Sequence, residues 1–390
     1  MAGRTSIAYL GREDLALSAD PEVTYFIERY TGQTPFASRM DRVQFNNGTI
    51  VFGEETIITI PKYADLITSL YLKFPAWPIT NSVLDSTGTL LLKYAEIYIG
   101  DQLIERLYGE YIELILDLEV PVSKQVGLTA LIGKTGNVIN TNVISSFIIP
   151  LPFSCLKKGL PICAFSDPIT VRLSFNPSSF FTAPVPVYYT QPVSSHLLVE
   201  YTYLSDKEVG YIKSKPMVYL IEQVQRQEFF TQTSNVSCLL DFVNPVKELF
   251  FVIQNDTAYG YDFGAEASGI PSYTSSFGIQ DQLNNLVLYF NTIERITGDV
   301  GDPLFLSTIQ ALEYHTRNPT RIFYMYSFSL DPENENPSGS VNMSRIQNQK
   351  LFLSLNLAGN KYIRVYARSY NFLVFYKNGV QLQFPNIDVS

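Results

Sequence analysis

Histidine, tryptophan and cysteine are nearly absent from this chain of 390 residues, which has two His, one Trp and three Cys. His196 and His315 stand far apart, and Cys155, Cys163 and Cys238 are scattered, so no zinc-type spacing exists. Each His is read as a surface or packing residue. An odd, sparse cysteine set argues against a disulfide framework and fits a reducing compartment. Charge is scarce as well, at 17% of residues, and runs acidic to a net −9. A sequence-wide basic footprint for nucleic acid is therefore missing. No apolar run approaches the roughly 18 residues that cross a bilayer. The opening MAGRTSIAYLGRED lacks the apolar stretch of a secretory leader, so synthesis in the cytosol is expected.

Enzyme motifs are lacking too. Neither GxSxG nor GxGxxG occurs. GLTALIGKTG (127–136) ends in Gly133-Lys134-Thr135, like a phosphate-binding loop, but Leu128 stands where that motif needs its first glycine. It is read as a glycine-rich loop. Asp299 and Asp302 of GDVGDP, and the acids of DPENENP (331–337), are too few for a calcium loop and are read as surface turns. Sequons at Asn47, Asn235, Asn255 and Asn342 are expected to stay silent in a cytosolic chain. No catalytic residue, cofactor or metal is assigned.

What the chain does have is apolar and aromatic mass: 46% hydrophobic residues, with 26 Tyr and 26 Phe. This mass falls in short β-branched and aromatic runs divided by Gly, Pro and Asn, which predicts strands. Examples are TIITIP (56–61), LITSLYLKFP (66–75), KYAEIYIG (93–100), DPITVRLSF (167–175) and HLLVEYTYL (196–204). GEYIELILDLE (109–119) fits either a short helix or a strand. Long loops are expected at 123–142 and 176–195. Ahead of the strands, DPEVTYFIERYTGQTPFA (20–37) predicts a helix capped by Asp20, with Pro21 at its first position and Gly32 as its stop. Val23, Phe26, Ile27 and Tyr30 would form its apolar stripe.

The strand series then repeats. MDRVQF (40–45) is answered by IEQVQR (221–226), LITSLYLKF (66–74) by VKELFFVIQ (246–254), EIYIGDQLIER (96–106) by VLYFNTIER (287–295), and HLLVEYTYL by KYIRVYARSY (361–370). Val43 to Leu72 and Val224 to Ile253 are both separated by about 29 positions. The order predicts a tandem duplication of an all-β unit, and without alternating helical crossovers the unit fits an eight-stranded antiparallel jelly roll. The expected organisation is an arm over 1–38, a first roll over 39–205, a linker over 206–220 and a second roll over 221–390.

Several stretches in this order resemble the double jelly-roll major capsid proteins of nucleocytoplasmic large DNA viruses and related virophages and polinton-like viruses. GREDLALSADPEVTYFIERYTGQTPFA resembles the family's N-terminal arm. IPLPFSCLKKGLPICAF (149–165) resembles its proline-rich strand pair, although Ser154 and Cys155 follow Pro152-Phe153 where an aromatic is common. NPVKELFFVIQ (244–254) resembles the opening of the second roll. YMYSFSLDPENENPSGSVNMSRI (324–346) carries Tyr326, Ser327, Phe328, Pro337, Ser338, Gly339, Asn342, Ser344 and Arg345 in the family's pattern, and RVYARSYNFL (364–373) resembles its final strand.

The resemblance implies a non-enzymatic structural subunit without cofactors. Its homotrimers would form pseudo-hexagonal capsomers of an icosahedral double-stranded DNA virus shell. The implied partners are further copies, neighbouring capsomers, and minor capsid and penton proteins. Direct nucleic-acid binding is not implied; an internal membrane could lie nearby, with no transmembrane segment in this chain. The place implied is the virion, after synthesis in host cytoplasm. Loops 176–195 and 255–285 would lie at the outer end, or 176–195 would be buried at the trimer contact, and the arm stripe Val23, Phe26, Ile27 and Tyr30 would lie at the inner face. Two other readings stand beside it: a jelly-roll carbohydrate-binding protein or glycosidase, with aromatic loops stacking on sugars, and a minor or vertex capsid protein.

Overall fold

A computed structural model describes residues 2–9, 11–12, 14, 18–22, 24–27, 30, 32–46, 48, 50–78, 82–134, 139–140, 143–144, 146–177, 180, 195–256, 258, 260–263, 282–376 and 379–384. Most of loops 176–195 and 255–285 lies outside them. Residues Met1–Phe36 form one unit and Ala37–Ser390 another.

The first unit holds helix α1 (Ala2–Ala8). The helix expected from residue 20 is not formed: the described residues between 20 and 30 run in bends and open chain. Asp20 takes φ 54°, a left-handed conformation, whereas an N-cap needs extended backbone. Phe26, Ile27 and Tyr30 are 97%, 64% and 93% exposed. A helix of about a dozen residues is marginal without a surface to bury its stripe, and the described residues of this stripe are exposed. Val23 lies outside the described residues.

The second unit contains two tandem antiparallel jelly rolls. The first is built from β1 (Ala37–Val43), β2 (Glu55–Ile60), β3 (Leu66–Phe74), β4 (Leu92–Ile99), β5 (Gln102–Tyr108), β6 (Phe147–Pro150), β7 (Ile169–Phe175) and β8 (His196–Tyr203). The second follows with β9 (Met217–Thr231), β10 (Asn235–Leu240), β11 (Pro245–Asn255), β12 (Leu283–Phe290), β13 (Ile293–Ile296), β14 (Tyr324–Ser327), β15 (Gln349–Leu355) and β16 (Lys361–Tyr376). Sheet orders β1-β8-β3-β6 and β2-β7-β4-β5 recur, shifted by eight, as β9-β16-β11-β14 and β10-β15-β12-β13. Period-2 patterning places each strand: in β2, Thr56, Ile58 and Ile60 turn inward while Glu55, Ile57 and Thr59 face out.

All four sequence matches join equivalent strands: β1 to β9, β3 to β11, β4–β5 to β12–β13, and β8 to β16. The equal spacing does not mark equivalent residues. Val43 and Leu72 both stand opposite Leu197, whereas Val224 stands opposite Arg368 and Ile253 opposite Ile363. Val43 faces the interior of its roll, but Val224 packs outside its own sheet, because a slip of one residue turns a strand over.

Helices fill several connections. GEYIELILDLE forms α3 (Gly109–Glu119), following the short α2 (Thr87–Leu91). The loop expected at 123–142 begins as α4 (Gln125–Ile132), ended by Gly133 at φ 74°. The linker expected at 206–220 contains α5 (Asp206–Ser214), with Ser205 at its N-cap and Asp206 and Glu208 in its first turn; β9 then starts at Met217. A π-helical turn (Phe305–Ile309) continues into α6 (Gln310–Tyr314) between β13 and β14.

Candidate assembly site: a charged seam between the rolls

Leu249, Phe251, Ile253, Ile363, Val365 and Ala367 point into the second roll and join its own core. On the opposite face of the same sheet, Phe250, Val252 and Tyr366 join the hydrophobic cluster of the first roll instead. Helix α3 makes this junction. The Tyr111 ring lies 6.0 Å from Phe250 and 5.9 Å from Tyr366, and Tyr108 meets Tyr366 edge-on at 5.9 Å. Aromatic pairs at these distances add to the area they bury.

The same helix carries Glu110, Glu113, Asp117 and Glu119, and each meets a cation. Arg364 Nε and the Tyr366 hydroxyl donate to Glu110 Oε1, both at 2.8 Å. Glu113 accepts from Ser86, Thr89 and Arg321 at 2.9–3.0 Å, with Lys134 Nζ at 3.1 Å. Asp117 pairs with Lys134 at 2.7 Å and with Arg317, and accepts the Thr320 backbone N–H at 2.6 Å. Glu119 accepts from Arg368 Nη1 at 2.8 Å. Arg321 also reaches Asp85 at 2.9 Å and donates to the Tyr261 carbonyl. Except for Lys134, the cations come from residues 317–368, so one helix of the first roll is held to the second by four charged contacts.

Below it lies a second network. Arg368 donates to Glu222 at 2.7 Å and to Glu248 at 3.2 Å, and Lys247 joins Glu222 and the Pro332 carbonyl. The His315 side chain is buried between Glu248 (2.9 Å) and Glu333 (3.1 Å). Ser154 accepts the Glu222 backbone N–H at 2.7 Å and donates its own backbone N–H to Glu105 at 2.8 Å. Thus Ser154 ties the rolls together.

Environment decides the charge of each group. Burial alone would raise Glu113 and Glu222, but Lys134 with Arg321, and Arg368 with Lys247, hold them down to about 2. Burial disfavours charged His315, yet Glu248 and Glu333 raise it to about 9. Glu105 has no full counter-charge, and burial lifts it to about 8.

Neither His is a surface residue: His196 is buried on β8, and His315 is a buried ion-pair member. Lys134 serves Glu113 and Asp117 rather than a phosphate. Asp302 begins a helical turn, accepting the Leu304 N–H at 2.8 Å. The arm residues Phe26, Ile27 and Tyr30 are not gathered into a stripe. Sequence reading missed the seam, although acids at 110, 113 and 117 in an otherwise apolar segment of a charge-poor chain signal buried partners.

Residues 24–243 match the family described as major capsid protein N-terminus, and residues 208–381 match the large eukaryotic DNA virus major capsid protein. The chain belongs to this family of major capsid proteins. The major capsid protein of Pyramimonas orientalis virus is 28% identical, over 94% of this chain and 95% of that one. That of Paramecium bursaria Chlorella virus 1 is 26% identical, over 91% and 87%. The same fold occurs in the PBCV-1 virus capsid (TM-score 0.84, 21% identity, 93% of this chain and 100% of that one). It also occurs in the Faustovirus major capsid protein (TM-score 0.74, 11% identity, 96% of each). The major capsid protein described here is therefore a structural subunit of a viral capsid, and its seam fixes two rolls as one body. Among the described residues no helix is long and apolar enough to cross a membrane.

Proposed function

We propose that three copies of this capsid protein close into a pseudo-hexagonal capsomer of an icosahedral shell. The observation that carries this reading is the repeated sheet order held by the buried seam. A rigid pair of like rolls supplies one third of a six-roll ring, and a heterologous contact closing at three completes it. Surface Tyr and Phe, with few rotamers to freeze, suit such contacts. In this reading the protein works by assembly, without catalysis, after synthesis in host cytoplasm. Neighbouring capsomers, minor capsid proteins and penton proteins are its further partners, and the arm with Val23, Phe26, Ile27 and Tyr30 reaches one of them from the inner face. Native mass measurement and electron microscopy of the purified chain test this. Trimers with a near-hexagonal outline are expected, and a monomer at every accessible concentration would refute the reading.

A further inference from the structure

Within the chain, the outer face of sheet β9-β16-β11-β14 is covered by α3, the helix that links β5 to β6. One row across that face is Arg226–Tyr366–Phe250–Met325. Tyr366 and Phe250 take the Tyr111 ring, and the Arg226 guanidinium lies 5.3 Å from the centre of the Tyr108 ring.

The equivalent sheet of the first roll, β1-β8-β3-β6, presents a matching row on its outer face: Arg42–Leu198–Tyr71–Pro150. The residue types follow the same order, with a guanidinium, a large apolar residue, an aromatic and a further apolar residue. This row still meets solvent. Arg42 is exposed, Leu198, Tyr71 and Pro150 are half-buried, and Met40 beside them is 45% exposed.

The second roll also carries the equivalent of the covering helix. Between β13 and β14 the π turn and α6 leave Leu304 55%, Ile309 38% and Leu312 66% exposed, with Glu313 exposed next to them. In the internal seam, acids of the covering helix meet Arg364 and Arg368 on the sheet. Glu313 on the helix, with Arg42 and Lys73 on the open sheet face, repeats that complementarity. Among the described residues, no helix covers this sheet face as α3 covers its equivalent, and no sheet covers this helix.

We propose that residues 304–313 of one copy cover the outer face of β1-β8-β3-β6 in the next copy, repeating the internal α3 seam between chains. The proposal rests on the trimeric reading above and names its closing contact. Every roll then meets its neighbour in the same way, alternately within and between chains, and the ring closes without a free helix or sheet face.

The test uses the full chain with Cys163→Ser to silence the half-buried thiol. Copies carrying Met40→Cys are mixed with copies carrying Leu312→Cys and treated with a flexible bis-maleimide. A covalent dimer is expected in the mixture and in neither variant alone. Separately, Leu312→Glu, at an exposed site that folding does not need, is expected to raise the trimer's midpoint concentration by about tenfold or more, as losing a buried leucine contact does. Trimers that persist without cross-links and are indifferent to Leu312→Glu would overturn this contact while leaving the trimeric reading intact. A wild-type chain that stays monomeric would overturn both.

Discussion

Asp117 and Arg321 show how much rests on single buried charges. Asp117 is fully buried and answers Lys134, Arg317 and Thr320. Removing its carboxylate by Asp117→Ala leaves two buried cations short of a partner, a loss of about 3–5 kcal/mol in comparable cases. Urea unfolding should show a drop of that size, while Asp41→Ala, removing a half-buried partner of the exposed Arg39, should change stability by less than about 1 kcal/mol. Gly109 is equally constrained for a steric reason. A Cβ there would lie 2.0 Å from the Leu92 carbonyl oxygen and 2.6 Å from that of Thr89, so Gly109→Ala should unseat the start of α3. His315 gives the seam a pH dependence of known sign. Its folded value of about 9 exceeds the ordinary 6.5, so its contribution is complete below about pH 6.5 and disappears as pH rises through 9. Each unit corresponds to about 1.4 kcal/mol, which bounds the loss at roughly 3 kcal/mol. Thermal unfolding of His315→Gln should be flatter than wild type across this window; an unchanged slope would place the pH dependence elsewhere.

At the scale of elements, the arm is the clearest case. Strand β1 begins at Ala37, and the described residues of both jelly-roll cores lie beyond it. Deleting residues 1–36 should leave the free energy of unfolding within about 0.5 kcal/mol of wild type, as surface changes do, while reducing shell assembly. A chain that fails to fold would instead make the arm part of a core. The strands were legible because short β-branched runs repeat in order, and four such matches joined true equivalents. Their register was not legible, because period-2 patterns match equally well when slipped by one residue. Helix α3 was ambiguous because Tyr111, Ile112, Leu114, Ile115 and Leu118 are buried around much of its circumference, which hides a helical stripe. The helix predicted from residue 20 failed in the opposite way: its local signals were sound, but Phe26, Ile27 and Tyr30 stay exposed and burial does not reinforce them. The charged seam was hidden by distance along the chain. Asp117 and Arg317 are 200 residues apart, and no local pattern pairs them.

For the whole molecule the two rolls are a duplication that no longer behaves as two parts. An internal core in each roll suggests that either could fold alone. Against this, Phe250, Val252, Tyr366, Leu373 and Phe375 lie in the hydrophobic cluster of the first roll. Arg364 and Arg368 are buried against acids of α3. A chain cut to residues 217–390 would uncover those apolar side chains as a contiguous patch, strip Arg364 of Glu110 and leave Arg368 with Glu222 and Glu248 but without Glu119. The expected result is a species that binds a hydrophobic dye and aggregates, with loss of near-ultraviolet circular dichroism. Co-expressing residues 1–216 should restore a soluble, cooperatively unfolding complex, because the seam supplies both the apolar cover and the counter-charges. A 217–390 fragment that is monomeric, dye-silent and cooperative alone would show that the seam only joins two self-sufficient rolls. In the expected outcome, one chain is the smallest stable unit of the shell, and the angle between its rolls is set before any copy meets another.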